Sequence, residues 1–115
     1  KIDVAIITGR TSDILKKRAL ELGIEKVHQG VADKLLVLNL IMEKHSYMTD
    51  EVAYAGDDLP DLSALKAVGL SFSVPNAHPT IKKVVDIVTD LQGGRGAVRE
   101  MSDFILKSKG ICQTV

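Results

Sequence analysis

The chain has 115 residues, 45% of them hydrophobic, and its 15 Lys plus Arg balance 15 Asp plus Glu. That is enough apolar matter for one core, and it leaves no net field to hold a nucleic-acid backbone or an anionic membrane surface. The lone cysteine, Cys112, excludes an internal disulfide and suits a reducing compartment. No apolar run reaches the roughly 20 residues of a membrane helix and no signal-like segment stands at the start, so a soluble, cytoplasmic setting without membrane partner is expected.

The chain starts at Lys1, without methionine and already inside the strand-like run I-D-V-A-I-I-T, as expected of the C-terminal part of something longer. Ile2 to Thr8 reads as a strand. Thr11, Ser12 and Asp13 then offer N-caps for a helix whose apolar face is Ile14, Leu15, Ala19 and Leu22, closed by Gly23 at C′. Lys26 to Gln29 is a short strand and Gly30 a turn; from Asp33 the run D-K-L-L-V-L-N-L-I-M-E-K reads as a second helix, apolar enough to be largely buried. Glu51 to Ala55 is the next strand, Pro60 or Asp61 opens a third helix through Ala67, and Gly69 closes it before the strand Leu70 to Val74. A short helix at Thr80 to Val85, a strand at Asp86 to Thr89, the loop Gly93-Gly94-Arg95-Gly96 and a helix from Ala97 to Lys107 complete the order. Strands alternating with helices predict a single domain of α/β class, a mainly parallel sheet with helices on both faces in a three-layer α/β/α arrangement.

In such a sheet a ligand sits beyond the carboxyl ends of the strands. The residues there are Thr8-Gly9-Arg10 after the first strand and Gly56-Asp57-Asp58 after the third, with Lys34 opening the helix after the second. Three carboxylates, Asp57, Asp58 and Asp61, stand within five positions, and their mutual repulsion calls for a cation. Hard carboxylate oxygens suit Mg²⁺, which takes one or two of them and fills its octahedron with water and substrate phosphate. The Thr8 hydroxyl can donate to a phosphate oxygen, Gly9 admits close backbone approach, and Lys34 is a point charge that neutralises phosphate. Arg10 and Arg18 suit an anionic substrate, such as a phosphate ester that also bears a carboxylate.

Each feature also has a plain structural reading. T-G-R after a strand is often only a turn, Asp57 and Asp58 can merely solvate a loop with Asp61 as helix N-cap, and Lys34 and Arg18 can be surface residues. His28, His45 and His78 lack metal-ligand spacing and read as structural.

The ordered set A-I-I-T-G-R, Q-G-V-A-D-K, V-A-Y-A-G-D-D-L-P-D, V-G-L-S-F-S-V-P-N-A-H-P and G-G-R-G-A-V-R-E resembles the haloacid dehalogenase superfamily, from about Ile2 to Lys107. More narrowly it is similar to the capless 3-deoxy-D-manno-octulosonate 8-phosphate phosphatases, whose specific signature is carried by the last two motifs. The resemblance implies that Thr8 binds the transferring phosphoryl group, Lys34 neutralises nucleophile and phosphate, Asp57 ligates Mg²⁺ and Asp58 orients the metal's water shell. It implies that Arg10 and Arg18 contact a sugar-acid phosphate, that Arg95 and Arg99 belong to the signature before the last helix, and that the protein is a homotetramer.

The superfamily's first motif, with the aspartate nucleophile and a second aspartate as acid/base, does not occur in these 115 residues and is expected upstream of Ile2. The strand carrying it would lie between the strands ending at Thr8 and Ala55. Two other readings stand beside the phosphatase: an inactive assembly domain of the kind fused to sialic-acid cytidylyltransferases, which leaves an intact Thr8, Lys34 and Asp57 without a use, and a generic doubly wound module such as a phosphorylatable receiver, which leaves G-G-R-G-A-V-R-E unexplained.

Overall fold

The fold was described from a computed structural model, covering residues 3–91. The expected helix from Ala97 to Lys107, the glycine loop before it and Cys112 lie outside the described residues. Two compact units divide at Met48 and Thr49, and each is described in turn.

The first unit runs β1 (Ala5–Ile7), α1 (Asp13–Glu21), β2 (Lys26–His28) and α2 (Lys34–His45). β1 and β2 are parallel, with Ala5 opposite Lys26 and Ile7 opposite His28, so α1 is the crossover a parallel pair requires. Ser12 caps α1 by accepting the Leu15 amide at 3.2 Å, and Asp13 adds a negative charge where the helix dipole is positive. After the helix Gly23 takes φ 78°, a left-handed conformation that glycine adopts without penalty. Asp33 caps α2 in the same way, accepting the Leu36 amide at 3.1 Å, and Lys44 and His45 lie in its last turn, where cations are favoured.

Both helices bury less than their composition suggested. On α1 only Ala19 is fully buried, while Ile14 and Leu22 are 77% and 71% exposed. On α2 Leu38 and Met42 are buried, but Leu36 and Leu40 are more than half exposed. The reason is angular: at 100° per residue, positions 36 and 40 fall nearly opposite positions 38 and 42, so one stripe faces the sheet and the other faces away.

The second unit begins with a 3₁₀ turn (Thr49–Glu51), then β3 (Ala53–Ala55), a second 3₁₀ turn (Leu59–Asp61) running into α3 (Leu62–Ala67), β4 (Leu70–Ser73), α4 (Pro79–Val84) and β5 (Ile87–Val88). Pairing at the start of this unit begins later than expected, because the Val52 amide is engaged by the Thr49 carbonyl at 3.2 Å. The strands form one parallel sheet in the order β3-β4-β5, Tyr54 lying opposite Ser71 and Phe72 opposite Ile87. β4 is central and its Ser71, Phe72 and Ser73 are buried. Asp86 accepts the Ser71 amide at 2.9 Å and returns its own amide to the Ser71 hydroxyl at 2.9 Å, which satisfies a buried polar side chain and fixes where β5 starts. Leu65, Val74, Ala77 and Ile81 make the core, with Tyr54, Leu62 and Val85 packed against it. Pro79 opens α4, and the His78 imidazole Nδ1 caps it by accepting the Thr80 amide at 3.1 Å.

Among the described residues β1 pairs with β2 alone and β3 with β4 alone, so β1 and β3 each have one unpaired side. Among the same residues no helix is long and apolar enough to cross a membrane.

Candidate active site

In the first unit the loops that follow β1 and β2 are tied to each other. The Thr8 amide donates to the His28 carbonyl at 2.9 Å, the Val31 amide to the Thr8 carbonyl at 3.0 Å, and the Gly30 amide to the Arg10 carbonyl at 3.0 Å. Gln29 adds a side-chain tie, its Oε1 accepting the Ser12 amide at 2.5 Å. Gly30 turns the chain with φ 64°, and its place as a turn is as the sequence predicts. Thr8, Gly9 and Arg10 are thus held beside the segment that leads into α2, at the carboxyl end of both strands. The Thr8 hydroxyl oxygen accepts the Arg10 amide at 3.2 Å, an interaction that leaves its own O–H available to donate.

Lys34 is the first residue of α2, directly after the capping Asp33, and is half-buried. Arg10 is exposed within the tied loop. Arg18 is exposed too, but it stands in the last turn of α1, about 9 Å along the helix from its capped end. The structure brings Thr8, Gly9 and Arg10 together at the strand ends and sets Arg18 apart from them along α1.

The acidic turn in the second unit is built with more support than its sequence suggests. The Gly56 amide continues the ladder to the Phe72 carbonyl at 3.2 Å, and the buried Ser73 hydroxyl donates to the Gly56 carbonyl at 2.7 Å. The His78 amide holds the Asp57 carbonyl at 2.9 Å. Behind the turn lies Asp61, only 4% exposed: its Oδ2 accepts the amides of Asp57 and Asp58 at 3.2 and 3.4 Å, and its Oδ1 accepts the Tyr54 phenol at 2.8 Å. Burial, then the hydrogen bond to Asp61 and its charge, pushes the Tyr54 phenol well above its usual pKa.

The side chains of Asp57 and Asp58 are exposed. The Asp57 carboxylate takes no part in the bonds that hold the turn, which use its backbone alone, whereas the Asp58 carboxylate accepts the Leu59 amide at 2.8 Å as cap of the 3₁₀ turn, in a reciprocal capping box with Asp61. The side-chain cap is therefore made by Asp58 on the 3₁₀ turn; Asp61 stands at the N-cap position of α3 but makes no cap there, because its carboxylate is turned inward to the backbone amides. Sequence reasoning read Asp61 as one of three clustered carboxylates or as a helix cap, not as a buried brace, and overlooked Tyr54 and Ser73. One signal was available: Gly56 precedes the acids, and a Cβ there would lie 2.5 Å from both Cβ and Cγ of Asp61, so the glycine is required by the buried carboxylate.

Among the described residues no three His, Cys, Asp or Glu side chains are grouped to hold a metal ion. An exposed Asp57 carboxylate on a braced turn fits a divalent ion bound through one protein oxygen, with water and phosphate completing the shell, as Mg²⁺ accepts.

Parallel strands that alternate with helices and carry their polar turns at the strands' carboxyl ends define a Rossmann-like α/β fold. Residues 21–101 match the profile of the haloacid dehalogenase-like hydrolases, and the chain belongs to that family. It is similar to the 3-deoxy-D-manno-octulosonate 8-phosphate phosphatase KdsC of Escherichia coli K12, 44% identical over 109 residues that cover 95% of this chain and 58% of that protein. Among solved structures it is similar to the corresponding phosphatase from Yersinia pestis, with TM-score 0.93 and 44% identity over 96% of this chain and 60% of that one. The phosphatase from Moraxella catarrhalis, in complex with a magnesium ion, a phosphate ion and a KDO molecule, gives TM-score 0.91 and 44% identity over 96% of this chain and 64% of that one. The chain therefore spans under two thirds of the length of these relatives.

Proposed function

We propose that this chain is part of a magnesium-dependent phosphatase that hydrolyses a sugar-acid phosphate, 3-deoxy-D-manno-octulosonate 8-phosphate before others. The observation that carries the reading is the braced turn at the end of β3, which presents the exposed Asp57 carboxylate within a chain 44% identical to such phosphatases. Asp57 would hold the ion, whose positive charge neutralises the phosphoryl oxygens as the reaction proceeds. The Thr8 hydroxyl donates to a phosphoryl oxygen, and the Lys34 ammonium offsets the negative charge of phosphate and nucleophile. Asp58 orients water around the ion. Arg10 and Arg18 bind the carboxylate-bearing sugar. The nucleophile is an aspartate in sequence upstream of Ile2; its attack on phosphorus expels the sugar alcohol, and water then hydrolyses the aspartyl-phosphate. The working protein is a cytoplasmic homotetramer on this reading.

The test is phosphate release from 3-deoxy-D-manno-octulosonate 8-phosphate by the full-length protein, with and without Mg²⁺. Magnesium-dependent turnover that disappears in Asp57→Asn is the expected result. Equal turnover in EDTA, or by the Asp57→Asn variant, contradicts the reading.

A further inference from the structure

We propose that Asp61, held by Tyr54, is a positioning residue that sets the affinity of the Asp57 turn for its divalent ion without touching that ion. The inference rests on the proposed phosphatase reading and deepens it. The backbone amides of Asp57 and Asp58 both point at Asp61 Oδ2, so this oxygen braces from behind the two peptide groups of the turn whose carbonyl sides are held by Ser73 and His78, and with them the place of the Asp57 carboxylate. The other oxygen is held by the Tyr54 phenol at 2.8 Å, which fixes the plane of the carboxylate. Tyr54 sits on β3 and packs against the core, so the carboxylate is anchored to the core of the unit. Gly56 completes the arrangement, since any side chain there would occupy the space of Asp61.

An exposure of only 4% separates Asp61 from its exposed neighbours Asp57 and Asp58. Amide donors stabilise a buried carboxylate, and that carboxylate in turn orders the amides. The chemistry Asp61 must provide is therefore acceptor geometry. An asparagine provides the same geometry, with Oδ1 toward the amides and its NH₂ toward the phenol oxygen; an alanine provides none of it.

The experiment measures Mg²⁺ and Mn²⁺ binding to the full-length protein by calorimetry, with thermal melting of each variant as a control for folding. Tyr54→Phe is expected to weaken ion binding about 3- to 10-fold, the worth of one intramolecular hydrogen bond. Its kcat is expected to return toward wild type at saturating Mg²⁺, with KM for the sugar-acid phosphate unchanged. Asp61→Asn is expected to keep most of the affinity, and Asp61→Ala to lose it. A loss in Asp61→Asn as complete as in Asp57→Asn would make Asp61 a ligand and overturn the proposal, as would wild-type affinity in Tyr54→Phe. Retention of full ion affinity by Asp57→Asn overturns the phosphatase reading itself, so the two failures are told apart.

Discussion

The hydroxyl of Ser73, near the end of β4, donates to the carbonyl of Gly56 at the end of β3 at 2.7 Å, and Ser73 is 1% exposed. The bond joins two neighbouring strands just where their ladder ends and the acidic turn begins. Ser73→Ala leaves that carbonyl without its donor at a cost of about 1–3 kcal/mol. Urea denaturation should show the loss, and ion affinity should weaken in parallel because the turn starts at Gly56.

Gly56→Ala is expected to be more damaging than its size suggests. A Cβ at 2.5 Å from two atoms of Asp61 must displace either the turn or the carboxylate, so a destabilisation of about 1–3 kcal/mol is expected by thermal melting. Gly9→Ala is the control: there a Cβ would lie 3.4 Å from the Val31 carbonyl oxygen, and the change should stay within about 0.5 kcal/mol. Loss of turnover in Gly9→Ala at unchanged stability would locate the requirement for glycine in contact with phosphate.

Tyr54 makes stability depend on alkaline pH. Its folded-state pKa is raised, chiefly by burial and then by Asp61, so folding favours the neutral phenol. That contribution is complete below the ordinary phenol value of about 10 and is lost as pH rises through the higher folded value. Unfolding free energies measured from pH 8 to 11 should fall above about pH 10, and the fall should be shallower in Tyr54→Phe. Identical slopes would mean that the phenol is not held neutral by its surroundings.

The arginines should separate by position. Arg10 lies in the tied loop and Arg18 in the last turn of α1. In the full-length protein Arg10→Ala is expected to raise KM for a carboxylated sugar phosphate about 10-fold, Arg18→Ala less, and neither should affect a neutral aryl phosphate much. Equal losses on both substrates would assign the arginines to the phosphate or to the fold.

Much of the local structure was legible because its causes are local. Ser12 and Asp33 cap their helices through amides three residues away, and Gly23 and Gly30 stand where φ is positive. The strand-end positions of Thr8 and Asp57 followed from alternation of strand and helix. What escaped was set through space: Ser73 reaches Gly56 across 17 positions, and Asp61 turns inward to the amides of its own turn and to the phenol of Tyr54 seven positions earlier. The burial of α2 was overestimated because composition counts apolar residues without their angle; Leu36 and Leu40 look away from the stripe of Leu38 and Met42.

The ties between the loops after β1 and β2 have a thermodynamic consequence. Thr8 with Val31, Arg10 with Gly30, and Ser12 with Gln29 are joined before any ligand arrives, so the conformational entropy of this segment is surrendered during folding. An anion that docks there meets a surface already in its bound shape, and its affinity is not taxed by freezing a loop. Cutting one stitch, as Gln29→Ala does, should therefore slow nothing chemical; it should loosen the loop and shift the cost of ordering from the folding reaction to the binding event.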